Sequence, residues 1–328
     1  NVYGCSPLVQ ENWEKISSTL HYYPDGHAEK LRIKLAEHLQ VSENELIFGG
    51  GSEEVIQMLC RTYLEKGTNT IMANPTFPQY KHYAIVEGAE IREVSLQDGK
   101  HDLNRMGELI DDNTRIIWLC TPNNPTGGYI QETELVNFLE KVPKHVLVVV
   151  DEAYYEYVTA FDFPETIPLL NHYENVMILR TFSKAYGLAG LRVGYGVASE
   201  NIITNLNKIR GPFNVTSVAQ EAAFWALQDS SFIQKTVQLN KDVRKSLETF
   251  CEEENLSFYP SETNFLLIHL PKSGLEISEV LLSKGFIVRA GELLGIPNSI
   301  RVTVGKKEDM ERFQDVLREI IHIEECAK

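Results

Sequence analysis

The sequence of 328 residues has few cysteines, and those few are scattered. Their number is odd and no two show the C-x-x-C spacing of zinc or redox sites, so we expect neither a metal centre nor a disulfide framework. A reducing, cytoplasmic compartment is the expected location. The five positions are Cys5, Cys60, Cys120, Cys251 and Cys326.

The sequence also has fewer basic than acidic residues and no long apolar run. Lys and Arg number 31 against 46 Asp and Glu, which gives a formal net charge of −15. This balance argues against a nucleic-acid partner, because the phosphate backbone attracts basic surfaces. The longest wholly aliphatic stretch, 146–150, is far shorter than the roughly 20 residues of a membrane span, so no membrane association is expected.

What the sequence does contain is an alternation of short apolar runs and helical patterns. The length suggests about two domains. Several runs are apolar at every position, which is typical of strands buried in a mostly parallel sheet covered by helices. We therefore predict a large α/β domain over 20–235, and a smaller α+β domain formed by 236–328 with an N-terminal arm, 1–19. The predicted strands of the large domain are 45–48, 70–73, 89–94, 115–120, 146–150, 176–179 and 191–197.

Shorter patterns complete this prediction. A helix following 49–51 is expected to begin with Ser52 as its N-cap, because a serine side chain can accept a hydrogen bond from a free amide of the first turn. Further helices are predicted at 77–86, 132–141, 217–227 and 237–253. Short strands are predicted at 262–269, 286–289 and 300–304.

Polar groups and tight turns follow nearly every predicted strand of the large domain. In open α/β sheets, ligands bind beyond the carboxyl ends of the strands. We therefore expect one composite site at this edge of the sheet. The segments that follow the strands are 49–53 (GGGSE), 74–78 (NPTFP), 121–128 (TPNNPTGG), 151–154 (DEAY) and 180–184 (RTFSK).

These strand ends match the chemical needs of pyridoxal phosphate, which requires an amine, an acid for its pyridine nitrogen and a phosphate cradle. Lys184 lies among small and hydroxyl residues and is the candidate amine. Asp151 ends a buried strand, where a carboxylate needs a partner such as a protonated pyridine nitrogen. Phosphate binding is expected from backbone amides at a helix start and from hydroxyl and guanidinium groups: Gly51, Ser52, Thr181, Ser183 and Arg192.

Each of these signals also has a simpler interpretation. A glycine-rich turn is a common loop, an aspartate after a strand is often a helix cap or metal ligand, and Asn-Asn-Pro-Thr-Gly is often only a turn. Their joint order favours the cofactor site, because Asn124, Asp151 and Lys184 each follow a different predicted strand.

Longer motifs then show a family resemblance. The sequence resembles the fold-type I, class II-like aminotransferases that depend on pyridoxal phosphate, over residues 1 to about 320. Within that family it is most similar to the branch that moves an amino group between L-histidinol phosphate and 2-oxoglutarate in histidine biosynthesis. The resemblance rests on 122–127 (PNNPTG), 151–154 (DEAY), 180–192 (RTFSKAYGLAGLR), 261–266 (SETNFL), 300–305 (IRVTVG) and 22–25 (YYPD).

The resemblance implies a role for each matching position. Lys184 would hold the cofactor covalently and move protons, Asp151 would pair with the ring nitrogen, and Tyr154 and Asn124 would bond the phenolic oxygen. Phe77 would stack on the ring. Gly51, Ser52, Thr181, Ser183 and Arg192 would bind the phosphate, together with Tyr23 from the neighbouring subunit, so a homodimer with shared sites is implied. The residues that would face the substrate are Arg301, Arg289, Asn264 and Tyr3.

Several alternatives stay open on the sequence. An aromatic amino-acid aminotransferase and a phosphothreonine decarboxylase share these motifs, and a regulatory protein that binds the cofactor without catalysis is disfavoured by the charge of −15. Arg289 could instead pair with Glu292. Gly50 and Glu53 depart from the family's usual Gly-Asn-Gly-Ser-Asp-Glu run. Family members also carry residues before the opening Asn-Val-Tyr-Gly that contribute to a substrate lid.

Overall fold

The computed structural model describes residues 1–322, which fold into a seven-stranded sheet, a three-stranded sheet and the helices around them. Cys326, one of the cysteines considered above, lies outside the described residues. The strands are β1 (Leu46–Gly49), β2 (Asn69–Asn74), β3 (Glu90–Ser95), β4 (Thr114–Cys120), β5 (Leu147–Asp151), β6 (Val176–Thr181), β7 (Gly194–Ala198), β8 (Phe265–His269), β9 (Arg289–Ala290) and β10 (Ser299–Thr303).

The large sheet has the order β1-β7-β6-β5-β4-β2-β3. The pairs from β3 to β6 are parallel, while β7 pairs antiparallel with both β6 and β1. The predicted α/β class with a mostly parallel sheet is therefore confirmed. The smaller sheet is antiparallel, in the order β8-β10-β9.

Helices precede and follow the strands of both sheets, as the alternating pattern predicts. Their bounds are α1 (Pro7–Glu11), α2 (Trp13–Ser17), α3 (Glu29–Leu39), α4 (Ser52–Tyr63), α5 (Gln79–Val86), α6 (Leu103–Glu108), α7 (Glu132–Leu139), α8 (Glu200–Asn207), α9 (Ser217–Ala226), α10 (Ser230–Glu253), α11 (Gly274–Ser283) and α12 (Lys307–His322). None of the helices within residues 1–322 combines the length and the apolarity needed to cross a bilayer.

The central strands explain why helices cover the sheet on both faces. Every residue of β5 and β6 is buried. Alternate side chains of β5 enter two different clusters: Leu147 and Val149 pack toward α4 and α8, whereas Val148 and Val150 pack toward α7. Burying both faces of the strands removes apolar surface from water and holds their carboxyl ends firmly in place.

Several predicted boundaries are wrong in detail. Ser52 is the first residue of α4, and the N-cap position belongs to Gly51, whose φ of +84° lies in a region that suits glycine. β6 continues through Arg180 and Thr181, two residues that the sequence pattern assigns to a loop. β7 begins only at Gly194, because a 3₁₀ turn at Ala189–Leu191 and the left-handed Arg192 precede it.

The C-terminal part has its own apolar cluster, formed by buried side chains from Val243 to Leu317. The strand predicted at 286–289 is wrong, since only Arg289–Ala290 is extended and paired. α10 runs without a break across the predicted boundary at 235/236. In the N-terminal arm, Val9 and Ile16 pack with residues of α3 and α9. The division into two domains stays a prediction.

Candidate active site

A cavity of about 240 Å³ lies at the carboxyl ends of β4, β5 and β6 and at the start of α4. It contains all the predicted cofactor-binding residues except Tyr23, together with three further residues. The lining residues are Gly51, Ser52, Glu53, Phe77, Cys120, Asn124, Asp151, Ala153, Tyr154, Thr181, Ser183, Lys184 and Arg192. A larger groove of about 1120 Å³ between α6 and α7 contains none of the predicted residues.

Asp151 is the buried acid of this cavity. Its Oδ2 accepts a hydrogen bond of 2.6 Å from Tyr80 Oη, whereas its Oδ1 is buried and has no partner. Burial raises the pKa of Asp151 to about 6, and the hydrogen bond from Tyr80, the Ala153 amide and the charge of Lys184 oppose that rise. The free Oδ1 can therefore accept a proton donor that enters the cavity.

Lys184 and Tyr154 line the same cavity as Asp151. Lys184 Nζ is 5.2 Å from the centre of the Tyr154 ring. The Tyr154 ring is buried and packs edge-on against Phe265, with 5.2 Å between ring centres. Lys184 follows β6 directly after Ser183, so the strand end sets the direction from which the amine enters the cavity.

The start of α4 and the loop after β6 form a cradle that suits an anion. A Cβ added to Gly51 would lie 2.7 Å from Arg192 Nη2, so the glycine allows the guanidinium to approach the helix start closely. Arg192 Nη1 donates to Ser183 Oγ at 3.3 Å, and the Ser183 amide donates to Thr181 Oγ1 at 3.1 Å. The amides of the first helical turn lie in the same cradle and favour negative charge.

A buried ion pair lies directly behind the strand ends that line the cavity. Arg180 Nε donates to Glu152 Oε2 at 2.9 Å, and Thr166 Oγ1 donates to Glu152 Oε1 at 2.9 Å. Glu152 follows Asp151 and Arg180 precedes Thr181, so the pair ties the end of β5 to the end of β6. Burial raises the pKa of Glu152, and the charge of Arg180 opposes that rise.

Arg301 connects the small sheet to the cavity. Its Nη1 donates a short hydrogen bond to Asn124 Oδ1, and its guanidinium lies 4.9 Å from the centre of the Phe265 ring. Its Nε is buried without a partner, and burial lowers the pKa of Arg301. Arg289 lies opposite Arg301 in the β9–β10 ladder and is exposed. Arg301 therefore lies beside Asn124 at the edge of the cavity, and Arg289 is its neighbour in the small sheet.

Glu292 does not hold Arg289. Glu292 Oε1 accepts hydrogen bonds from the amides of Gly274 at 2.9 Å and Asn298 at 3.1 Å, and Oε2 is buried without a partner. The alternative pairing of Arg289 with Glu292 is therefore wrong, because Glu292 Oε1 is taken up by backbone amides and Oε2 is buried away from the exposed Arg289.

Five predicted residues lie outside the cavity lining: Arg301 and Arg289, described above, and Tyr23, Tyr3 and Asn264. Tyr23 is 84% exposed, and its ring stacks on Phe213 with 5.0 Å between ring centres. Tyr3 is partly exposed, and its amide donates to Asn1 Oδ1 at 2.9 Å. Asn264 is half-buried, and its carbonyl accepts from the Val304 amide at 2.8 Å, at the end of the small sheet.

The sequence motifs assign no role to three residues of the lining, Glu53, Cys120 and Ala153, or to Tyr80, which bonds Asp151 from outside the lining. Tyr80 lies three residues after Phe77, and this spacing within a predicted helix is the signal that could have placed both at the site. Glu53 Oε2 is 4.0 Å from Arg192 Nη2, and Tyr83 Oη donates to Glu53 Oε1 at 3.1 Å. Burial raises the pKa of Cys120 to about 12, so this thiol is neutral at physiological pH.

The residues present fit the cofactor that the sequence resemblance implies. The partnerless Asp151 Oδ1 suits a protonated ring nitrogen, and the Gly51–Arg192 cradle is open where a side chain would close it. Lys184 supplies an amine in the same cavity. The acid, the amine and the anion cradle are the groups that pyridoxal phosphate requires.

Comparison with known proteins agrees with this geometry. Residues 5–317 match the family model described as "Aminotransferase class I and II". This chain belongs to the class I and II aminotransferases. The predicted family and the predicted class of enzyme, an aminotransferase, are therefore confirmed.

Individual relatives are similar over most of their length. A histidinol-phosphate aminotransferase of Geobacillus sp. (strain WCH70) is 56% identical over 98% of this chain and 88% of its own. The histidinol-phosphate aminotransferase of Bacillus subtilis (strain 168) is 53% identical over 98% of this chain and 89% of its own. A solved structure of the Sinorhizobium meliloti histidinol-phosphate aminotransferase in complex with pyridoxal-5'-phosphate has a TM-score of 0.92 and 26% identity, covering 98% of this chain and 89% of that one.

Proposed function

We propose that this protein is an aminotransferase that moves an amino group between L-histidinol phosphate and 2-oxoglutarate with pyridoxal phosphate as cofactor. The observation that carries the proposal is the single cavity in which Lys184, the free Oδ1 of Asp151 and the Gly51–Arg192 cradle meet. The names of relatives that share more than half of their residues with this chain support the substrate. The aromatic aminotransferase and phosphothreonine decarboxylase alternatives are not favoured, since those relatives carry neither name.

The cofactor would be held at three points. The amides of Gly51 and Ser52, the hydroxyls of Thr181 and Ser183 and the guanidinium of Arg192 would bind its phosphate. Asp151 Oδ1 would accept the proton of its ring nitrogen, and Phe77 would cover one face of the ring. Asn124 and Tyr154 would donate to its phenolic oxygen. When bound, pyridoxal phosphate supplies a ring that withdraws negative charge from the substrate's α-carbon.

The protein's own groups would handle the protons and the substrate. Lys184 Nζ would accept the α-proton of the amino donor and return a proton on the same face. Asp151, kept ionised, would hold the ring nitrogen in its protonated form. Arg301 and Arg289 would bind the phosphate of histidinol phosphate or the carboxylate of the second substrate, because both are anions that a planar guanidinium can bind through two oxygens.

A homodimer with shared sites forms part of the proposal. Tyr23 is strongly exposed and is not part of the lining of its own chain's cavity, and its ring lies against Phe213. An aromatic side chain this exposed is available to a second copy of the chain. The partner subunit's Tyr23 would complete the phosphate cradle, and Asn264 and Tyr3 would face the substrate. We also propose a cytoplasmic location, supported by the free thiols of Cys5, Cys60, Cys120 and Cys251.

The proposal is tested by a substrate panel together with a chemical label. Purified protein loaded with pyridoxal phosphate is assayed with histidinol phosphate, phenylalanine and phosphothreonine. Turnover with histidinol phosphate should exceed the other two, and borohydride reduction followed by peptide mapping should label Lys184. A label on another lysine, or a preference for phenylalanine or phosphothreonine, would contradict the proposal. Lys184→Ala should abolish both turnover and labelling, and Lys208→Ala, which changes a lysine outside the cavity, is the matched control.

A further inference from the structure

Tyr80 does not line the cavity, but it contacts the buried acid of the site. Among the described residues, it is the only one whose side chain donates a hydrogen bond to Asp151. Tyr80 Oη donates to Asp151 Oδ2 at 2.6 Å. Because Oδ2 accepts this bond, Oδ1 is the carboxylate oxygen that stays buried and without a partner. The two oxygens of one carboxylate are therefore distinguished by a contact from α5, a different element from the one that carries Asp151.

The position of Tyr80 is fixed by packing on all sides. The residue is fully buried, and its ring stacks on Trp118 with 4.7 Å between ring centres and an interplanar angle of 9°. Trp118 Nε1 donates to Thr70 Oγ1 at 2.8 Å, and that hydroxyl donates to the Ile116 carbonyl at 2.8 Å. The strands β2 and β4 therefore hold the indole, and the indole sets the place of the phenol ring.

The charges around Asp151 give this hydrogen bond its importance. The titratable groups facing the carboxylate are Tyr80 from α5, Cys120 from the end of β4 and Lys184 from the loop after β6. Burial keeps the Cys120 thiol and the Tyr80 phenol neutral, because it raises the pKa of both groups. Lys184 is therefore the one cation among these groups. Tyr80 is a neutral donor, and its hydrogen bond to Asp151 does not depend on the position or the bonding of the Lys184 amine.

We propose that Tyr80 is a positioning residue, which directs Asp151 Oδ1 into the cavity and keeps the carboxylate ionised so that it can hold the ring nitrogen of the cofactor. This inference rests on the proposed function. A phenol suits the task because it donates one hydrogen bond and carries no charge of its own. A hydrogen bond to the charged form of an acid favours that form and opposes the effect of burial.

The test is Tyr80→Phe, which removes the hydroxyl and keeps the ring that stacks on Trp118. Protein stripped of cofactor is titrated with pyridoxal phosphate, and the dissociation constant is measured by tryptophan fluorescence across a range of pH. Tyr63→Phe is the matched control, since Tyr63 packs against the same apolar cluster but lines a different groove, together with Asn205. Thermal unfolding of each stripped variant reports whether it is folded.

Tyr80→Phe should raise the dissociation constant about tenfold, the range expected for a hydrogen bond to a charged group. The midpoint at which acid weakens binding should move up by about one pH unit, because the unbonded carboxylate takes up a proton more easily. Tyr63→Phe should change neither quantity. Equal losses in the two variants, or an unchanged midpoint in Tyr80→Phe, would overturn the inference.

A second arm covers the case in which Tyr80→Phe fails to fold. Site-specific replacement of Tyr80 by 3-fluorotyrosine gives a phenol that donates more strongly, and the acid midpoint should then move down. A midpoint equal to that of the unmodified protein would overturn the inference. If the unmodified protein does not bind pyridoxal phosphate at all, the proposed function itself fails, and this result is distinct from any difference between variants.

Discussion

Asp151 shows how one side chain can be costly for the stability of the fold and useful for the chemistry of the site. Its carboxylate is buried at the end of β5, where burial raises its pKa to about 6, and one of its oxygens has no partner. An uncompensated buried acid destabilises the protein until a proton donor pairs with it. The cofactor proposed above would provide that donor through its ring nitrogen.

We predict that Asp151→Asn keeps the fold and lowers kcat for histidinol phosphate by ~10²–10³, the usual effect of losing one charge-stabilising contact. An amide of the same shape cannot keep the ring nitrogen protonated. Steady-state kinetics on protein with measured cofactor occupancy provides the test. A loss smaller than about tenfold would mean that Asp151 has only a structural role.

The same residue predicts an unusual pH dependence for the cofactor-free protein. The folded-state pKa of Asp151 lies above its ordinary value, so its contribution to stability is complete below pH 3.8 and is lost as the pH rises through about 6. Asp151→Asn does not titrate. At about pH 8 the stripped variant should be more stable than the stripped wild type by about 3 kcal/mol, with the difference nearly vanishing at about pH 4. Urea unfolding at both pH values measures this difference, and a difference that does not change with pH would contradict the prediction.

Arg301 provides the prediction on substrate binding. Its buried, partnerless Nε and its contact with Asn124 suit an anion that binds two nitrogens of the guanidinium at once. Arg301→Lys keeps the charge but not the planar fork, so KM for histidinol phosphate should rise about tenfold or more, with a smaller change in kcat. Arg312→Lys is the control, because Arg312 belongs to α12, lies over the Phe286 ring and is not part of the cavity lining. Unchanged kinetics in Arg301→Lys would exclude the anion clamp.

At the scale of secondary-structure elements, the site depends on how the ends of β5 and β6 are held side by side. The strands pair in parallel up to Asp151 and Leu179. Beyond that ladder, the Glu152–Arg180 pair continues the connection through side chains. Asp151 and Thr181 are therefore fixed relative to each other by two kinds of bond, which limits the movement of the cavity walls.

We predict that Arg180→Leu lowers the free energy of unfolding by ~3 kcal/mol, because it leaves the Glu152 carboxylate buried without its counter-ion. The double variant Arg180→Leu, Glu152→Leu should recover part of that loss, since no buried charge remains. Arg105→Leu is the control: the Arg105–Glu108 pair is exposed at both partners, so its loss should change stability little. Equal unfolding midpoints for the Arg180 and Arg105 variants in a urea titration would rule out the role of the buried pair.

At the scale of the whole molecule, the question is whether one chain can build a complete site. The cavity of a single chain brings together the amine, the acid and most of the phosphate cradle, whereas Tyr23 lies on the surface beside Phe213. In a two-fold symmetric dimer the same patch would serve both subunits, and each site would borrow a residue from its neighbour. Within one chain, a substitution of Lys184 would then damage that chain's own site, whereas a substitution of Tyr23 would damage the site of its partner.

Complementation tests this arrangement. Tyr23→Ala should be strongly impaired and Lys184→Ala inactive, each as a homodimer. Co-refolding equal amounts should restore roughly a quarter of wild-type activity per chain, because half of the dimers then contain one intact site. A mixture no more active than the sum of its parts would contradict shared sites, as would a fully active monomer in sedimentation experiments.

The class of the fold and most residues of the cavity follow from the amino-acid sequence alone. Runs that are apolar at every position specify buried strands, and side chains that directly follow parallel strands must gather at one edge of a sheet. For this reason the sequence is sufficient to place Asn124, Asp151 and Lys184 together. Gly51 and Arg192 follow from the same reasoning, although the N-cap of α4 is Gly51 and not the predicted Ser52.

Which atoms are paired and which are free depends instead on tertiary packing. Tyr80 bonds Asp151 across 71 positions of the chain, and Arg301 bonds Asn124 across 177. Such distant contacts explain three features of the site. Tyr80 bonds Asp151, Arg180 is buried against Glu152, and Glu292 is bonded to backbone amides instead of Arg289. Apolar periodicity is a local property of the chain, whereas a hydrogen bond between distant elements depends on how those elements pack, to within a fraction of an ångström.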